Sequence, residues 1–130
     1  PLADAGYDPY HTIICRRELV RSEPRVVRAF LAASIRGWRD YLDGDPSPAN
    51  AMILKQNAEM SPGQLAFSRE ALIAQAFVKG DPARGEDIGR ISAARVQSQI
   101  DVLTELKILE KPVTAASVVT EEFLPAPGAP

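Results

Sequence analysis

Tyr10-His-Thr-Ile-Ile-Cys15 is the only β-type run in this chain, and everything after it has helical periodicity. A lone strand cannot satisfy its own backbone donors and acceptors, and it cannot form an independent sheet. The expectation is therefore that it pairs with a preceding segment or with another copy of the chain. The near-continuous apolarity after His11-Thr12 fits a strand covered on both faces.

The helical stretches follow in order. Arg17–Arg21 reads as one short turn. Ser22-Glu23-Pro24 then opens the longest helix, which runs to Asp43. Val27, Phe30, Leu31, Ser34/Ile35, Trp38, Tyr41 and Leu42 share one face of it. Arg36/Asp40 and Arg39/Asp43 are i,i+4 pairs, each contributing about 0.3 kcal/mol. Gly37 weakens the helix and predicts close packing against a neighbour. Gly44-Asp-Pro breaks the helix, and Ser47-Pro48 starts the next, with Ser47 as cap, reaching Asn57. Ser61-Pro62-Gly-Gln64 carries a capping box for a helix to Val78, with Leu65, Leu72, Ile73, Ala76 and Phe77 inward and Gly80 as terminator. Ser92 caps a last long helix to Leu106, with Val96, Ile100, Leu103 and Leu106 as its stripe. Pro112 stops extension, and Thr114–Leu124 is a weakly helical docking segment anchored by Phe123-Leu124. The terminal Pro-Ala-Pro-Gly-Ala-Pro is expected to be disordered.

Composition excludes some functions. A hydrophobic content of 45% argues against disorder. A net charge of −2 with interleaved signs argues against a general nucleic-acid or anionic-membrane surface. No apolar run reaches transmembrane length. The absence of a signal peptide is uninformative if the chain is a carboxy-terminal piece. Cys15 is the only cysteine, so no intrachain disulfide can form, and with no base near it in sequence it reads as a buried inert thiol. His11 is the only histidine and lacks partners at ligand spacing, so neither a metal nor a cofactor is expected. Gly80-Asp-Pro-Ala-Arg-Gly85 has two phosphate-loop glycines without the Gly-Lys-Ser/Thr end, and reads as a surface loop. Trp38 reads as core.

The ordered succession is more specific than any one motif. Ala5-Gly6-Tyr7-Asp8 precedes the strand. Arg16-Arg17-Glu18-Leu19, Glu23-Pro24-Arg-Val-Val-Arg-Ala-Phe30-Leu and Ala33-Ser-Ile-Arg-Gly37-Trp38 follow. Later come Arg95-Val-Gln-Ser-Gln-Ile-Asp-Val-Leu103, Leu106-Lys-Ile-Leu, Lys111-Pro112-Val113 and Thr120-Glu-Glu-Phe123-Leu124. This order resembles the carboxy-terminal half of the solute-binding proteins of ABC transporters. The branch it resembles is the thiamine-pyrimidine-precursor type, which has nitrate, sulfonate and taurine binders as relatives, and the resemblance runs from about Leu2 to Leu124.

The resemblance implies a fragment that is mainly α, with one principal strand and about five helices, inside an α/β type II periplasmic-binding fold. Residues 1–9 would form a hinge and cleft loop, 10–124 part of one of two lobes, and 125–130 a disordered tail. It implies non-enzymatic capture of a small solute, with an ABC permease as partner and a periplasmic or membrane-anchored extracellular location. Asp4, by analogy with an acidic residue that contacts the pyrimidine, and Gly6, Tyr7 and Tyr10 would belong to the ligand site. No catalytic residue, direct membrane insertion or nucleic-acid partner is implied. Two other readings stand beside it: a thiamine-pyrimidine biosynthetic enzyme of the same fold, which would need a cysteine-rich motif elsewhere, and a stand-alone helical interaction domain, disfavoured by the orphan strand. Relatives carry Gly after the last long helix where this chain has Lys107. A left-handed cap there would be strained by roughly 1 kcal/mol, so the helix is expected to run on or to end differently.

Overall fold

The computed structural model describes residues 12–125. Six α-helices follow in order: α1 (Arg17–Ser22), α2 (Pro24–Asp43), α3 (Ser47–Gln56), α4 (Pro62–Ala74), α5 (Ala93–Glu105) and α6 (Ala115–Val118), with a 3-10 turn at Pro82–Arg84. Neighbours in sequence pack as pairs: α1 on α2, α3 on α4, α5 on α6.

No strand or sheet occurs among the described residues, which corrects the expected principal strand and α/β architecture. Tyr10 and His11 lie outside the described residues. Thr12–Cys15 is irregular and exposed, with Ile14 at 88%. Its β-branched residues favour an extended backbone, but a strand exists only in a ladder, and no ladder partner lies within the described chain.

Helix starts follow local chemistry. Ser61 accepts from the Gln64 N–H at 3.2 Å, and the Gln64 side chain accepts from the Ser61 N–H at 2.9 Å. Ser92 accepts from the Arg95 N–H at 3.3 Å. α2 opens with Pro24 in its first turn, where a missing N–H costs nothing. At α3 the expected Ser47 cap is replaced. Pro46 occupies the cap position, and the Asp45 carboxylate accepts from the Ser47 N–H at 2.9 Å. Hydrogen bonding to Ser47 holds the Asp45 carboxyl below its ordinary value of 3.8.

Two helix ends share one device. After α4, the Ala76 N–H donates to Ile73 and the Phe77 N–H to Leu72, each at 3.2 Å. After α5, the Lys107 N–H donates to Thr104 and the Ile108 N–H to Leu103, each at 2.9 Å. Both are Schellman motifs, which require a left-handed residue after the cap. Ala76 (φ +51°) and Lys107 (φ +56°) fill that position. So α4 ends before Val78 and ahead of Gly80, and the expectation that Lys107 would avoid a left-handed cap is overturned. Paired carbonyls and the apolar residues at either end of each motif outweigh the backbone strain.

The core is small. Ile35, Leu42 and Ile88 form its buried cluster, with Tyr41, Leu72, Val78 and Leu124 packed around it. Gly89 sits against it at φ +80°, and a Cβ there would lie 2.9 Å from the Ile35 side chain. α4 reaches the end of α2 through Arg69, which donates to the carbonyls of Tyr41 and Leu42, both at 2.8 Å. These are carbonyls a helix terminus leaves unpaired, and the positive charge suits the negative end of the helix. The Tyr41 hydroxyl donates to Asn50 of α3 at 3.1 Å, and Lys79 pairs with Asp43.

Candidate functional site

Asp4, Gly6, Tyr7 and Tyr10, the ligand-site residues implied by the resemblance, lie outside the described residues, as does His11. Cys15 is a free and exposed thiol, against the expectation of burial. Gly80–Gly85 is a self-capped surface turn: Asp81 accepts from the Ala83 N–H at 2.9 Å, and Glu86 accepts from the Asp81 N–H at 2.8 Å. Among the described residues no group of three or more His, Cys, Asp or Glu converges, and no helix is long and apolar enough to cross a membrane.

One concavity lies where the chain's last described segment crosses α2. It is an open pocket of about 200 Å³ lined by Arg28, Ala32, Phe123, Leu124 and Pro125. Phe123 is 6% exposed and anchors the segment, with the Arg28 guanidinium over its ring at 5.1 Å. That guanidinium also donates to the Glu122 carbonyl at 3.1 Å and lies 3.7 Å from the Glu122 carboxylate. The cation is thus engaged by the chain itself. This pocket serves packing of the segment and offers no cluster of nucleophile, base and electrophile.

The larger feature is α2 itself. Ile35 and Leu42 are buried, and Val27, Leu31 and Tyr41 are half-buried, so one side packs on the core. Val26, Phe30, Ala33 and Gly37 recur at i, i+4, i+7 and i+11, and all are exposed, Phe30 at 58%. At 100° per residue the apolar sector spans about 200° of the circumference, and neighbours cover only its inner part. Trp38 falls on the inward side, between Val27 and Leu31, yet is 41% exposed, with an edge contact to Tyr41 at 6.2 Å. Two expectations fail here together. Trp38 and Phe30 are not core, and a Cβ on Gly37 would meet nothing within 4 Å, so the glycine makes no close packing contact.

The same holds along α4, where Phe67 and Ile73 are exposed, as is Phe77 just beyond it. Of its inward residues only Leu65 is buried. In α5, Ile100 is buried while Leu106, beyond its end, is exposed. Ile73, Phe77 and Leu106, expected inward from sequence periodicity, are thus exposed, and Phe77 and Leu106 lie beyond the ends of their helices. Periodicity does not say that the described chain leaves part of an apolar face open.

Comparison with known proteins adds no relative: no family model matches the chain, and no curated protein or solved structure does either.

Proposed function

We propose that this chain is part of the solute-binding component of an ABC importer, capturing a small solute without chemical conversion. The solute class is an aminopyrimidine thiamine precursor or a nitrate- or sulfonate-like anion. The partners are that solute, the importer's permease, and the polypeptide that covers the outer side of α2. The location is periplasmic, or extracellular on a membrane anchor. In this reading Asp4 accepts a charge-assisted hydrogen bond from an amino-pyrimidine, Tyr7 and Tyr10 stack on a flat ring, and Gly6 belongs to the same ligand site.

The supporting observation is the open apolar sector of α2, from Val26 to Gly37. A helix apolar over so wide an arc belongs inside a larger body. A binding protein whose remaining structure lies over α2 supplies that cover. The order of sequence segments, from Ala5-Gly6 to Phe123-Leu124, is what suggests the solute class.

The test is calorimetric titration of the purified protein, in its native polypeptide, with an aminopyrimidine precursor, nitrate and an alkanesulfonate. Binding of one class at micromolar Kd or tighter, weakened roughly tenfold to a hundredfold by Asp4→Asn, is expected. No heat from any of the three overturns the reading.

One observation favours a second reading, a helical interaction module. The orphan strand was the reason against it, and Thr12–Cys15 forms no strand here. Under that reading the open face of α2 is a protein-docking surface, and the titrations above give no heat while a protein partner co-purifies in fixed stoichiometry.

A further inference from the structure

The three helix pairs hold together within themselves, and α2 meets the α5 side of the fold at two places: Asp87–Gly89, before α5, lies against Arg39 and Ile35, and the segment Thr114–Pro125 bridges α1, α2 and α5. Its own local structure is slight. α6 has four residues, far below the length at which an isolated helix persists. Arg17 of α1 donates to the Ser117 carbonyl at 3.2 Å. Arg28 of α2 donates to the Glu122 carbonyl at 3.1 Å, and Arg90, before α5, to the Pro125 carbonyl at 3.1 Å. Gln97 of α5 accepts from the Ala115 N–H at 2.9 Å. Arginine suits this task, because its fixed fork of donors reaches carbonyls that irregular backbone leaves unpaired.

Two apolar anchors complete the seat. Phe123 is buried under Arg28, and Leu124 packs on the cluster of Ile35, Leu42 and Ile88. Gly89 has no side chain between Ile35 and Leu124. A Cβ there would meet Ile35 at 2.9 Å and Leu124 at 3.9 Å. The segment is thus held by groups from α1, α2, α5 and the loop before α5, and the Arg17 and Arg28 contacts are exposed to solvent.

We propose that Thr114–Pro125 is a detachable clasp: its seating couples the α1–α2 pair to α5, and its release is the first opening of the fold. Release frees Arg17, Arg28 and Arg90 together and bares the groove over Ile35 and Ile88. This holds whichever solute or partner the protein serves.

Native-state hydrogen exchange of the unmodified protein tests the first half. The amides of Ser117, Val119 and Leu124 exchange at least tenfold faster than those inside α2 and α5, with a denaturant slope that is measurable but smaller than that of the helices. Identical rates and denaturant slopes across clasp and helices overturn the proposal. Phe123→Ala tests the coupling. It accelerates exchange in α1 and the first half of α2 by tenfold or more and leaves α3 and α4 unchanged. Acceleration confined to the clasp describes a fraying segment and overturns the proposal, as does uniform acceleration of every helix. If Phe123→Ala does not fold, Phe123→Leu is read in its place, since it keeps an apolar anchor and removes the ring beneath Arg28.

Discussion

Replacing Lys107 with glycine will stabilise the protein. The left-handed conformation at φ +56° brings a Cβ close to the following carbonyl, at a cost of about 1–2 kcal/mol. Glycine removes that contact. It also gives the unfolded chain more freedom, which offsets about 0.4–1 kcal/mol of the gain. The net effect is about 0.5–1 kcal/mol in favour of Lys107→Gly, and both hydrogen bonds of the motif persist because they are main-chain bonds. Lys107→Ala is the control, because it removes the same charge and keeps the Cβ. Thermal unfolding followed by circular dichroism measures both, and the glycine variant melts about 2–5 °C above the alanine variant. Equal stability of the two variants would refute the reasoning, since the strain would then not reside in the Cβ. Ala76→Gly follows the same logic with a smaller gain, because Ala76 is half-buried and its methyl contributes packing.

Other perturbations act on named contacts. Arg69→Ala loses two 2.8 Å hydrogen bonds to the end of α2 and costs about 2–3 kcal/mol by urea unfolding, while Arg69→Lys recovers part of it. Ser61→Ala removes the cap of α4 and costs about 1 kcal/mol, seen as a lower urea midpoint. Asp45 has a depressed folded value, so its contribution is present above pH 3.8 and is lost as pH falls through that lower folded value. NMR titration of its carboxyl checks this, and a midpoint at or above 3.8 contradicts the Ser47 hydrogen bond.

Local chemistry was readable from residue types alone. Ser61 with Gln64, Ser92 and Pro24 marked three helix starts to within a residue, because a cap needs only its own turn. Helix ends were less legible. Gly80 was the obvious terminator, yet the chain turns at Ala76, since the motif is decided by carbonyl pairing and not by which residue carries least strain. The fold class failed at Thr12–Cys15, where β-branched content states a preference and a ladder requires a partner. Phe30 and Trp38 failed for a related reason. Periodicity identifies an apolar face, and only the tertiary arrangement says what covers it. The ligand residues Asp4, Gly6, Tyr7 and Tyr10 rest on sequence order, and the described residues do not reach them.

The central claim is that the outer face of α2 is covered in the working protein. Hydroxyl-radical footprinting of that protein, scaled to the reactivity of the same segments as free peptides, measures it at Val26 and Phe30. Strong protection of both side chains is expected, well below the 52% and 58% exposure that this chain alone gives them. Modification in proportion to those exposures would contradict it.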